Sequence, residues 1–282
     1  MRPLLFPLLC SCLLALPGCP ADLEVPPAFV TLDDLALSTV DGQGAATSSV
    51  NEVWVFVGGD LQGIYPLPGR IPLHFSGSTA VEFRAGIREN GVSATPNFYE
   101  FYEPIVRTLE LVPGETTPLG VLPLRYDPAA RFALIEDYET TEANFRSPIL
   151  GQAVVVPQGD IVRSGNASGR LRLTTDSPVV EIASRAITDP LLANRPLVYL
   201  ELDFLSEAPG QFGVSGIRNG ELIRRFDPAF NPRDRWTKIY FDLTPITVSA
   251  DLNELLLVLS ALLPQGAQEA DVYLDNIKVL YF

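Results

Sequence analysis

Three carboxylates in Tyr199-Leu-Glu201-Leu-Asp203-Phe-Leu-Ser-Glu207 are spaced for acid–base chemistry. Along a strand alternate residues share a face, so Glu201, Asp203 and Glu207 point the same way. Two carboxylates across a cleft are all that glycoside hydrolysis needs. A second acidic set is Asp137 and Glu139, which alternate onto one face, with Asp275 near the C-terminal end. If the strand carrying Asp275 pairs with the one carrying the other two, three hard oxygen ligands meet in a site suited to a structural Ca²⁺, which takes six to eight oxygens. The same pattern also describes a solvated acidic edge. Third, Phe98-Tyr99-Glu100-Phe101-Tyr102 packs four aromatics into five residues. Phe98, Tyr99, Phe101 and Tyr102 are candidate ligand-binding faces for a sugar or peptide, or packing for a core or domain interface. His74 is the single histidine. It lies in Arg70-Ile-Pro-Leu-His-Phe75 with no Gly-x-Ser-x-Gly elbow nearby, and it supports neither a nucleophilic triad nor a zinc set.

The cysteines form the remaining group. Met1-Arg2 begins a basic n-region, Pro3 to Leu16 is an apolar run of signal-peptide length, and Leu16-Pro17-Gly18-Cys19 follows. This tetrapeptide resembles the lipobox of bacterial lipoproteins. The resemblance implies that residues 1–18 are removed, that Cys19 becomes an acylated N-terminus, and that residues 19–30, with Pro20, Pro26 and Pro27, form a lipidated tether. Cys10 and Cys12 fall within the removed segment, so the mature chain has no intramolecular disulfide. The expected location is the bacterial cell envelope, lipid-anchored, at the outer membrane, with the membrane itself as a partner through the acyl chains.

These groups must be positioned by short strands. The chain has 282 residues, enough for two domains, and its 25 Pro and 21 Gly interrupt it too often for long helices. Hydrophobic residues at 47% against 19% charged argue for folded cores. A formal charge of −14 repels a phosphate backbone and sets nucleic acid aside as a partner. Val53–Val57, Gly58-Gly59-Asp60, then Leu61–Leu67 spells a hairpin. With Thr79–Ile87, the Asn90-Gly91 turn signal, Ile105–Leu111 and Thr117–Tyr126, it predicts an immunoglobulin- or transthyretin-like β-sandwich over residues 31–127. Asp127-Pro128-Ala129-Ala130 marks the boundary. Ten strand patterns between Phe132 and Phe282, with apolar Leu255–Leu262 as a central core strand, predict a jelly-roll sandwich over 130–282. The fold class is therefore all-β, two β-sandwich domains.

Within the second half, Ile135-Glu-Asp-Tyr-Glu139, Asn166-Ala-Ser-Gly169, Trp236-Thr-Lys-Ile-Tyr-Phe241 and Val272-Tyr-Leu-Asp-Asn-Ile-Lys278 resemble, in this order, strands of carbohydrate-binding-module-like jelly rolls. The layout of lipobox, small β domain and jelly roll is similar to surface lipoproteins abundant in Bacteroidota. Tyr199 to Glu207 superficially resembles the Glu-x-Asp-x-Glu strand of jelly-roll glucanases, but Leu205 stands where that pattern has its second catalytic Glu. The reading is a non-catalytic, membrane-anchored surface binding or assembly module, with a glycan as the ligand the resemblance implies. The alternatives are a structural protein-binding subunit of an envelope complex and, third, a glycoside hydrolase.

Overall fold

The computed structural model describes residues 25–92, 94, 96–140, 142–188 and 197–282. Residues 1–24, and with them the signal segment and Cys19, lie outside the described residues. The architecture is all-β. The first half contains β1 (Ala28–Leu37), β2 (Glu52–Val57), β3 (Asp60–Pro66), β4 (Gly69–Leu73), β5 (Gly77–Arg88), β6 (Pro96–Phe98), β7 (Ile105–Leu111) and β8 (Thr116–Leu124). One sheet has the order β4-β1-β8 and the other β3-β2-β5-β6, with β7 also paired to β5. The alternation of β2 explains the layering: Val53 and Val55 are buried between the sheets, while Trp54 and Phe56 face outward, half-buried. Gly58 and Gly59 both have positive φ, which lets Val57 pair Asp60 across a two-residue turn.

β1 corrects the expected tether. The strand begins at Ala28, inside residues 19–30, and Ala28 and Val30 are buried in the first core. It runs antiparallel to β4 and parallel to β8. Pro26 and Pro27 stop just short of the first ladder residue, so neither proline costs a hydrogen bond.

The second half contains β9 (Arg131–Glu136), β10 (Ser147–Leu150), β11 (Val156–Gln158), β12 (Ser168–Thr174), β13 (Val179–Ile187), β14 (Val198–Ser206), β15 (Gly210–Arg218), β16 (Glu221–Phe230), β17 (Arg233–Asp242), the short helix α1 (Thr244–Ala250), β18 (Leu255–Leu262) and β19 (Glu269–Tyr281). The sheets β10-β13-β18-β15-β16 and β11-β12-β19-β14-β17 enclose a core that includes Phe204, Phe212, Phe241, Leu257 and Leu274. Along one side of β19, β12 pairs Glu269–Leu274 and β9 pairs Ile277–Tyr281. Asn276 lies between the two pairings, with φ of 51°, and the ladder to β14 shifts register at the same place.

The halves are joined by backbone as well as side chains. The turn after β5 docks on β17: Glu89 bridges Tyr240 in parallel, the Asn90 N–H donates to the Tyr240 carbonyl at 2.8 Å, and the Asp242 N–H donates to Asn90 Oδ1 at 3.0 Å. Tyr199, Tyr240 and Leu280 of the second half pack into the apolar cluster of the first.

Candidate functional site

Two features meet where the halves join, a buried polar network and an open cleft beside it. The network follows from the alternation of β14. Leu200, Leu202 and Phe204 enter the second core, so Tyr199, Glu201 and Asp203 point at the first half. Glu201 is fully buried and accepts hydrogen bonds from the Tyr99 and Tyr126 hydroxyls, each at 2.8 Å, with Lys238 Nζ at 3.1 Å. Lys278, opposite Glu201 in the β14–β19 ladder, donates to the Ala45 carbonyl at 2.7 Å and to Tyr126 at 3.1 Å. Asp203 accepts from Thr47 at 2.6 Å, Asn276 at 3.1 Å and Arg163 Nε at 3.2 Å. Asp275 accepts the N–H groups of Asn276, Ser164 and Arg163 at 2.8, 3.1 and 3.2 Å.

Burial dominates the protonation of this network. It pushes the Asp275 carboxyl up to about 7 against the three N–H bonds that favour its charge, with the Asp203 charge adding to the rise. Burial likewise lowers Lys278 to about 8, although Glu201 pulls the other way. The Tyr99, Tyr102 and Tyr126 hydroxyls are held protonated by burial and by the Glu201 charge.

This placement corrects two expectations, the aromatic ligand face and the calcium set. Tyr99, Phe101 and Tyr102 offer no free face to a ligand, being 3%, 0% and 4% exposed. Their rings pack against Tyr199, Tyr240 and Phe282, because a ring that loses its water on folding gains more from a core than from solvent. Phe98 alone of the four sits at the surface, edge-on to Trp54 at 5.5 Å and beneath the Arg84 guanidinium at 4.8 Å. Glu201 and Asp203 line no substrate cleft, since the first half covers them. Glu207 is exposed and accepts the Asp271 N–H at 2.9 Å.

The calcium ligands Asp137, Glu139 and Asp275 do not converge. β9 ends at Glu136, and Tyr138 takes a positive φ of 59°, which breaks the alternation that would have put Asp137 and Glu139 on one face. Glu139 turns to the Asn166 and Ala167 N–H groups, at 2.7 and 3.1 Å, and these bonds lower its pKa. Asp137 accepts the Glu139 N–H. Among the described residues no group of three His, Cys, Asp or Glu side chains is arranged to hold a metal ion.

The cleft is a cavity of about 720 Å³ between the turn after β5 and the start of β17. Ser49, Asn51, Arg88 and Asn90 line it from the first half, and Asn231, Arg233, Asp234, Arg235, Thr237 and Lys238 from the second. Its wall owes its shape to a bulge. Ser206 pairs Arg233 and Phe204 pairs Thr237, so β17 takes four steps where β14 takes two, and Asp234, Arg235 and Trp236 leave the ladder. Gly91 closes the corner, where a Cβ would come within 2.8 Å of Ile239. Such a site can hydrogen-bond a hydrophilic ligand through hydroxyl, amide and guanidinium groups. Its residues lie far apart in sequence, and the Asn90-Gly91 turn signal marks only one corner of it.

No protein-family model and no curated protein matches the chain. Among solved structures it is similar to carbohydrate-binding modules of the β-sandwich superfamily, at 14% identity and a TM-score of 0.40 over 81% of this chain and 84% of that one. It is also similar to the CBM22-1 xylan-binding domain of Paenibacillus barcinonensis Xyn10C, at 16% identity and a TM-score of 0.39 over 55% of this chain and 97% of that one. The tandem CBM22-1–CBM22-2 of the same enzyme gives 14% identity and a TM-score of 0.40 over 84% and 75%.

Proposed function

We propose that this chain is a non-catalytic, lipid-anchored binding protein of the bacterial outer membrane whose inter-domain cleft takes a glycan. The observation that carries this reading is the character of the cleft. Ser49, Asn51, Asn90, Asn231 and Thr237 supply donors and acceptors from both halves, suited to a polyhydroxylated ligand. Asp234 is the single carboxylate among the described lining residues, where hydrolysis of a glycosidic bond needs two. Anchoring is supported by the Leu16–Cys19 tetrapeptide and by a mature chain with no other thiol. The test is a glycan array probed with the detergent-solubilised full chain beside Asn51→Ala and Asn231→Ala variants. Binding that both variants weaken supports the cleft; a blank array for the wild type overturns the reading.

A second reading, a structural subunit that recognises protein, is favoured by one surface. Half-buried Trp54, Phe56 and Phe98 share the outer face of the β3-β2-β5-β6 sheet with exposed Ile64 and Val106. Loss of an envelope crosslink in Trp54→Ala, with glycan binding intact, would favour that reading.

A further inference from the structure

We infer that the ligand of the cleft carries negative charge, as a saccharide bearing carboxylate groups, and that Arg233 and Arg235 hold those groups; this rests on the cleft being a glycan site. The charged residues lining the cavity are Arg88, Arg233, Arg235, Lys238 and Asp234. Two of the cations are already engaged. Arg88 lies 2.6 Å from Glu52, and Lys238 lies 3.1 Å from Glu201 with its side chain almost fully buried. Arg233 and Arg235 are exposed at the opening, and among the described residues neither has a carboxylate within ion-pairing distance. Elsewhere on the molecule Arg84, Arg170, Arg172 and Arg224 each find a carboxylate, while among the described residues Arg107, Arg125 and Arg131, like Arg233 and Arg235, have none within ion-pairing distance, so the lack of a partner marks the cleft pair only together with their place over the cavity.

The bulge makes this more than surface composition. By lifting Asp234, Arg235 and Trp236 out of the β14–β17 ladder, the chain keeps Arg233 paired at one end and carries Arg235 over the cavity. A guanidinium is a planar fork of donors that matches a carboxylate with two parallel hydrogen bonds, which a hydroxyl cannot offer. Asp234 opposes one of the two charges and leaves room for the other. Repulsion by the acidic body of the protein falls off over about 8 Å in physiological salt, so contact with two arginines decides the local balance. Asn51, Asn231 and Thr237 then remain for the sugar hydroxyls.

The test is calorimetric titration of the detergent-solubilised full chain with tetragalacturonate, its fully methyl-esterified form and neutral α-1,4-galactotetraose, at low and high salt. The free acid should bind, more weakly at high salt, and the ester and neutral sugar should bind at least about tenfold more weakly, the loss of roughly one charge-assisted contact. Arg233→Gln and Arg235→Gln change exposed side chains and should each weaken the acid by about the same factor, whereas Asp234→Asn should tighten it. Equal binding of acid, ester and neutral sugar overturns the charge inference and leaves the glycan site standing. Acid binding unchanged in the Arg233→Gln/Arg235→Gln double variant overturns it as well. No heat with any of the three sugars overturns the charge inference, and a blank glycan array in addition overturns the glycan site.

Discussion

Asp203 and Asp275 are direct partners on adjacent strands, and both are fully buried. Two carboxylates in that position resist joint ionisation. The unfolded chain releases the Asp275 proton near pH 3.9, about the ordinary aspartate value, while burial holds it in the folded chain up to about 7. Between those values the folded state binds the extra proton, so stability falls as pH rises from about 4 to about 7. Lys278 has the opposite effect at higher pH. Folded, it loses its proton near 8, and unfolded near 10.4, about the ordinary lysine value. Stability then rises across that window, and these two groups place a minimum between pH 7 and 8. Urea midpoints measured from pH 4 to 10 check this; Asp275→Asn should flatten the acid limb and leave the alkaline one.

Glu201→Ala should be among the most damaging single changes. It leaves Lys238 and the Tyr99 and Tyr126 hydroxyls without their shared acceptor. Breaking a buried pair from one side costs about 3–5 kcal/mol. Replacing Glu201 and Lys238 together by apolar residues should lose less than the sum of the single changes, read as a coupling energy in a double-mutant cycle of denaturation midpoints.

The first half, expressed alone as residues 31–126, should not melt cooperatively. Its core lacks Tyr199, Tyr240 and Leu280, and without its first strand residues Ala28 and Val30 it loses more. Extending it back to residue 25 and adding residues 130–282 in trans should restore a cooperative transition, detectable by calorimetry. Two fragments that melt sharply alone and ignore each other would contradict the shared core.

Melting curves in EDTA and in millimolar Ca²⁺ should coincide. Asp137, Glu139 and Asp275 each accept a backbone N–H from a different partner instead of facing one ion. A rise in melting temperature with Ca²⁺ that Asp275→Asn abolishes would restore the calcium site.

Cys19→Ala should block incorporation of labelled palmitate and signal cleavage, followed by fluorography and gel mobility. The motivation is the Leu16-Pro17-Gly18-Cys19 tetrapeptide. Normal maturation and labelling of the variant would remove the anchor.

Strands were legible wherever alternation was clean. Thr79–Ile87 declared itself by alternation and Leu255–Leu262 by a short continuous apolar run, and the structure has strands at both. β1 was hidden by Pro26 and Pro27, whose composition imitates a linker although the ladder starts one residue later. The acidic pair at Asp137 and Glu139 misled because a positive φ at Tyr138 is invisible to a period-2 rule. The aromatic run was legible as a cluster, open to a ligand face or to a core or domain interface, and its partners Tyr199, Tyr240 and Phe282 in the other half of the chain decide for the interface. Lys238 and Lys278 are the only lysines in the sequence, and both are buried beside Glu201.

The seating of Leu280 in the first core, and of Phe282 flat against Phe101 at 4.5 Å, sets an order of events during folding. N-terminal domains commonly complete their folding while the rest of the chain is still being made. Here the first half cannot close its hydrophobic surface until β19 is available to pack on it, wherever in the cell the chain folds. Maturation of both halves is thereby tied to one late moment, and a chain stalled before β19 leaves an exposed apolar surface for chaperones or proteases to recognise.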